Sequence, residues 1–154
     1  GERQMADKWL MYDNSVRVPL IIFDPRVNQH HDVEDMVANV DLAATILDFA
    51  GVNSKLKTQG NSLVPYVKTG KSPFKREALL IEHLWDFEPI PSSEGIRTEK
   101  WKFMRYRDIK AQDELYDLVS DPDELNNLAN HPDHANVVIE MEKKLEQNIA
   151  KYAQ

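Results

Sequence analysis

Gly1–Pro19, GERQMADKWLMYDNSVRVP, runs directly into Leu20–Arg26, LIIFDPR, and the reading of this join decides the fold. Val18–Phe23 (VPLIIF) is a short, nearly continuous apolar run rich in branched residues and closed by Asp24-Pro25. Such a run, bounded by turn residues, predicts a strand buried on both faces, as in the sheet of an α/β domain. Lys8 precedes that strand, on a loop expected at the sheet's edge, where α/β folds place ligands. Its ammonium suits an oxyanion such as sulfate or phosphate as a point charge. Taken alone, a lysine is more often a solvated surface residue. Trp9, Tyr12, Asp7 and Asp13 surround it in sequence, and the stretch starts without any lead-in. The expectation is a chain that forms the back part of a longer enzyme. Asp7, Asp13 and Asp24 lack the close alternating spacing of a calcium loop, so they are read as solvated or capping residues.

The 154 residues fit one domain of ordinary size, and 42% hydrophobic with 29% charged residues is a globular composition. A net charge of −7, from 19 Lys+Arg against 26 Asp+Glu, argues against a non-specific nucleic-acid binder. It says little about small anions, because one pocket can be positive within an acidic protein. The absence of cysteine excludes disulfides and zinc–thiolate sites. No apolar run approaches the roughly 18 residues of a membrane span, so no membrane partner is expected. The compartment is not readable from these residues.

Downstream, Val27–Asp35 (VNQHHDVED) reads as a polar loop. Its adjacent His30 and His31 diverge on any regular element, and no carboxylate precedes them at helical ligand spacing, so a metal role is not assigned. Asn39–Gly51 (NVDLAATILDFAG) is a helix, with Asn39 or Asp41 as cap, Gly51 at the left-handed end, and Leu42, Thr45, Ile46 and Phe49 on its packing face. A short helix is expected toward Val67, and Lys68–Arg76 is an exposed connector.

From Glu77 the texture changes. Ala78–Leu84 is strand-like, although Glu82-His83 interrupts its apolar run. These two residues suggest an acid–base or substrate-binding pair at a strand end, against the plainer reading of a structural histidine. Ile96–Thr98 and Trp101–Arg107 predict a half-buried hairpin, with Trp101, Phe103 and Tyr106 inward and Lys102 and Arg105 toward solvent. Glu114–Val119 is a further strand, stopped by Ser120–Asp123. A last helix from Pro132 to about Tyr152 carries the stripe Val138, Met141, Leu145, Ile149 and Tyr152. The fold class is α+β, with a boundary near residue 76: 1–76 as the end of an α/β domain, and 77–154 as a small antiparallel sheet with a C-terminal helix. A Gly-rich phosphate loop, a G-x-S-x-G elbow and H-E-x-x-H are all absent, so no complete catalytic constellation is present.

In this order the segments form a familiar set: GERQMADKWLMYDNSVRVPLII, VDLAATILDFAGV, QGNSLVPYV, IEHLW, SEGIRTEKWKFMRY and ELYDLVSDPDELNNLA. The set resembles the C-terminal third of a type I sulfatase, in the alkaline-phosphatase-like superfamily, and covers nearly the whole chain. Any one piece is weak; the ordered set is specific. The family usually starts nearer to G-E-H-G, whereas Arg3 and Gln4 stand here, so no histidine role transfers.

The resemblance implies hydrolysis of sulfate esters of a carbohydrate or aryl group, using calcium and a formylglycine made from Cys or Ser in a C/S-x-P-x-R motif. That motif is not found in this chain. Carried over are Lys8, matching the lysine that contacts sulfate and helps the leaving group, and Glu82, His83 and Trp85, matching a segment that borders the substrate pocket. The implied partners are the N-terminal catalytic part of the same enzyme and the sulfate ester. A periplasmic or extracellular setting follows from the resemblance alone. The chain by itself is expected to be inactive and to hold no cofactor. The alternatives are a phosphodiesterase or phosphonate monoester hydrolase of the same superfamily, or a non-catalytic interaction domain.

Overall fold

The computed structural model describes residues 9–52, 58–85, 91–107 and 112–153. Lys8 and Asp7 lie outside them. The chain divides into two compact units, Gly1–Val18 with Ala78–Gln154, and Pro19–Glu77.

The first unit is built on four antiparallel strands in the order β1 (Leu79–His83), β2 (Ser93–Arg97), β3 (Trp101–Tyr106) and β4 (Glu114–Asp117). Leu80 pairs with Ile96, Ile96 with Phe103, and Phe103 with Leu115, so these four share one face. A 3₁₀ turn, Pro132–His134, leads into helix α4 (Ala135–Tyr152), whose Met141 and Leu145 are buried against that face. The stripe read from the sequence is therefore the packing face, with Val138 and Ile149 flanking it. Each large apolar side chain removed from water contributes very roughly 1.5–3 kcal/mol before entropy is subtracted.

The opposite face is also covered, contrary to the half-buried hairpin expected. Residues 9–12 and the single turn α1 (Asp13–Val16) lie across it as a strap: Met11 and Tyr12 pack with Met104 and Tyr116. A Cβ on Gly95 would lie 3.3 Å from the Met11 thioether, so this glycine lets the strap approach the sheet closely. Lys102, expected in solvent, is fully buried, because the strap and the Glu124 turn bring carboxylates to its ammonium.

The second unit holds α2 (Val40–Phe49) and α3 (Val64–Thr69). Gly51 ends the α2 segment at φ +65°, as its position predicts. Of the face expected to pack, Thr45 is buried and Phe49 half-buried, but Leu42 and Ile46 are exposed, Ile46 to 66%, and the expected cap Asp41 is buried instead. Polar bonding sets this orientation. The Arg76 guanidinium donates to both Asp41 oxygens at 2.7 Å, and the Ala38 and Asn61 amides donate to the same carboxylate. Thr45 accepts from the Leu63 amide, and Gly60 touches the Val40 carbonyl so closely that any Cβ would collide. Val18–Phe23 forms no strand; Ile21 and Phe23 are 90% and 83% exposed. A buried strand needs ladder partners on both sides, and the described residues of this unit supply none.

Candidate functional site

At the end of β1 the strap brings Trp9 against His83, with ring centroids 5.8 Å apart and nearly perpendicular. Trp85, just beyond the strand, lies 6.4 Å from Trp9, also edge to face. These are ordinary aromatic geometries. The result is a wall of two indoles and an imidazole, with Trp85 66% exposed at its outer side.

Among the described residues, His83 Nδ1 is buried without a hydrogen-bond partner, and so is the hydroxyl of Ser93, its direct neighbour across the ladder. A buried polar atom left unmet costs about 1–3 kcal/mol. The structure separates Glu82 from His83: successive strand residues face opposite ways, so exposed Glu82 shares a face with Glu94 while His83 joins the strap side. An acid–base pair between them is thus not formed. Of the residues singled out in the sequence, His83 and Trp85 come together, Glu82 stands apart, and Lys8 immediately precedes Trp9 in the chain.

Behind the wall the strap is fixed by two polar clusters. In one, the half-buried Glu114 carboxylate accepts from the hydroxyls of Tyr12, Tyr106 and Tyr116. Burial first, and the Glu114 charge second, push the ionisation of Tyr106 and Tyr116 far above the ordinary tyrosine range, so these hydroxyls remain donors. In the other, Lys102 Nζ donates to Asp13 Oδ1 at 2.6 Å and to Glu124 Oε1 at 2.7 Å. The Asp13 amide donates to Glu124 Oε2 at 2.7 Å, and Arg97 Nη2 reaches Asp13 Oδ2 at 3.1 Å. Burial pushes the Asp13 carboxyl up, but the hydrogen bonds from Arg97 and Lys102 outweigh it and hold the group below the usual carboxylate range. Glu124 occupies this position with φ +55°, an uncommon backbone for a residue with a side chain.

The sequence reading missed Trp9 as a wall residue and Asp13 as an anchor. One signal was available: Lys102, Met104 and Tyr106 share a parity, and two apolar residues on the supposedly wet face indicate burial on both sides. Among the described residues no group of three His, Cys, Asp or Glu side chains is placed to hold a metal ion.

A family profile described as N-sulphoglucosamine sulphohydrolase, C-terminal, matches residues 1–151. The N-acetylglucosamine-6-O-sulfatase of Bacteroides thetaiotaomicron is 32% identical over 99% of this chain, which spans 28% of that relative's length. A solved structure in complex with its substrate D-glucosamine-2-N,6-O-disulfate superposes with a TM-score of 0.80 at 30% identity, covering 96% of this chain and 31% of the other. A phosphonate monoester hydrolase of Agrobacterium radiobacter is 28% identical with a TM-score of 0.65, over 77% of this chain and 26% of the other.

Proposed function

Because the chain belongs to the family of sulfatase C-terminal domains, we propose that it serves a sulfuric ester hydrolase acting on a sulfated amino sugar. Its part is to supply one wall of the substrate pocket and the sulfate-contacting Lys8. The observation that carries this reading is the cluster of Trp9, His83 and Trp85, whose Trp9 directly follows Lys8 in the chain. Indole faces suit the C–H faces of a sugar ring, and the imidazole offers a polar atom for a ring substituent. Lys8, the sequence neighbour of Trp9, would supply a positive charge for the ester oxygen, which gains negative charge as the S–O bond breaks. Family members generally use calcium and formylglycine, which when bound supply Lewis-acid stabilisation and the nucleophile. Residues 1–76 would complete the large α/β domain of the enzyme, apart from the strap of residues 9–16 that packs on the sheet of 77–154, its small C-terminal subdomain.

In the intact enzyme, Trp9→Ala and His83→Ala are expected to raise KM for glucosamine 6-sulfate with little change in melting temperature. Lys8→Ala is expected to lower kcat instead. Unchanged KM in both wall variants would overturn the wall. A preference for a phosphonate ester over the matching sulfate ester would favour the other hydrolase. The 154-residue chain alone should show no turnover of 4-nitrophenyl sulfate.

A further inference from the structure

We infer that Asp13, Lys102 and Glu124 are a positioning clamp for the reaction: they fix the strap so that Trp9 meets the substrate in one register. The inference rests on the wall reading above and adds residues that touch no substrate. Three features carry it. Lys102 is buried near the start of β3, yet among the described residues its ammonium binds no group of its own sheet; it joins a strap residue 89 positions earlier to a turn residue 22 positions later. The carboxylate of Glu124 bridges the same two parts, taking Lys102 Nζ on one oxygen and the Asp13 amide on the other. Apolar packing would cover this face at least as well, since a buried ion pair is weak evidence for stability; what charge-assisted bonds add is a defined register.

The clamp also sits where register matters. Asp13 is four residues from Trp9, and between them Met11 drops onto Gly95 and Tyr12 bonds Glu114. Loss of the Asp13 anchor frees the strap to slide along the sheet. A shift of about 1 Å at the reacting groups can cost on the order of 10²-fold in rate.

The test is Asp13→Ala in the intact enzyme, assayed with 4-nitrophenyl sulfate. The Lys102–Glu124 pair stays in place, while Arg97 loses its bond to Asp13. The expected result is a loss on the order of 10²-fold in kcat/KM, seen in both kcat and KM at matched folded fraction, with most of it restored in Asp13→Glu. A fall in melting temperature with normal kcat and KM per folded molecule would overturn the clamp. Trp9→Ala separates the two readings. If Trp9→Ala has normal kinetics, the wall itself fails; if Trp9→Ala is impaired and Asp13→Ala is not, only the clamp fails. Should Asp13→Ala not fold, hydrogen exchange in the unaltered protein decides. The Asp13 amide must exchange as slowly as the β3 amides, and exchange at the rate of an open segment would overturn the proposal.

Discussion

The two faces of the sheet are buried by different chemistry. Under α4 the centre of the contact is Ile96, Phe103 and Leu115 against Met141 and Leu145, non-directional apolar burial that tolerates small shifts, with buried Glu94 and its Arg105–Glu146 link on the same face. Under the strap, Lys102, Glu114 and Glu124 are met by Asp13 and Tyr12, in bonds whose lengths and partners define one arrangement. Apolar area dominates at the centre of the first face; on the second, directed bonds to a buried ammonium stand beside the Met11, Tyr12, Met104 and Tyr116 packing and define the strap's position. The candidate site lies at the end of the second face. This contrast suggests why the chain spends buried charge there: an apolar strap would hold the sheet closed, but would not hold Trp9 to one place.

The sharpest way to break the contrast is Lys102→Met. It leaves Asp13 and Glu124 facing each other without their ammonium, and urea unfolding should show a loss of about 3–5 kcal/mol. Neutralising all three in Asp13→Asn, Lys102→Met, Glu124→Gln should recover much of that stability. Leu145→Ala, on the other face, should cost about 2–5 kcal/mol by leaving a cavity, with kcat/KM per folded molecule unchanged. A kinetic defect in Leu145→Ala would erase the division of labour.

Acid sharpens it next. Asp13 is held low as described, and Glu94 likewise, because hydrogen bonds from Arg107 and Arg105 outweigh the upward push of burial. A carboxyl whose folded value lies below its unfolded value contributes stability above the unfolded value and loses it as pH falls through the folded one. Urea midpoints should therefore be flat near neutrality and fall below about pH 4. A midpoint that rises on acidification would contradict these assignments. The smallest effect is expected from Glu146→Gln, which removes a partly exposed partner of Arg105 on the α4 face. Exposed pairs contribute about 0–1 kcal/mol, so the shift should be near the error of the measurement.

Much of this was legible in the sequence. The four strands, the hairpin turn and the α4 stripe follow from local periodicity, which for Met141, Leu145 and Phe103 also predicts the buried side. Periodicity does not report what covers a second face. Lys102 looked solvent-facing because its partners, Asp13 and Glu124, lie 89 and 22 residues away in sequence. Helix α2 shows the same limit in reverse. Leu42 and Ile46 mark an apolar face, yet the bidentate Arg76–Asp41 pair turns the polar face inward within its unit. Val18–Phe23 has a strand's composition but meets no ladder partner among the described residues. At the site, His83 and Trp85 could be named from the resemblance, whereas Trp9 became a wall residue only once the strap was seen lying on the sheet.

The most direct test of the account is a double-mutant cycle between Asp13→Ala and Trp9→Ala in kcat/KM of the intact enzyme. If the clamp acts by placing the strap, removing Trp9 already forfeits part of what Asp13 provides. The double variant should then lose clearly less than the product of the two single losses. Fully multiplicative losses would mean that Asp13 and Trp9 act independently, and the strap face would then have no positioning role.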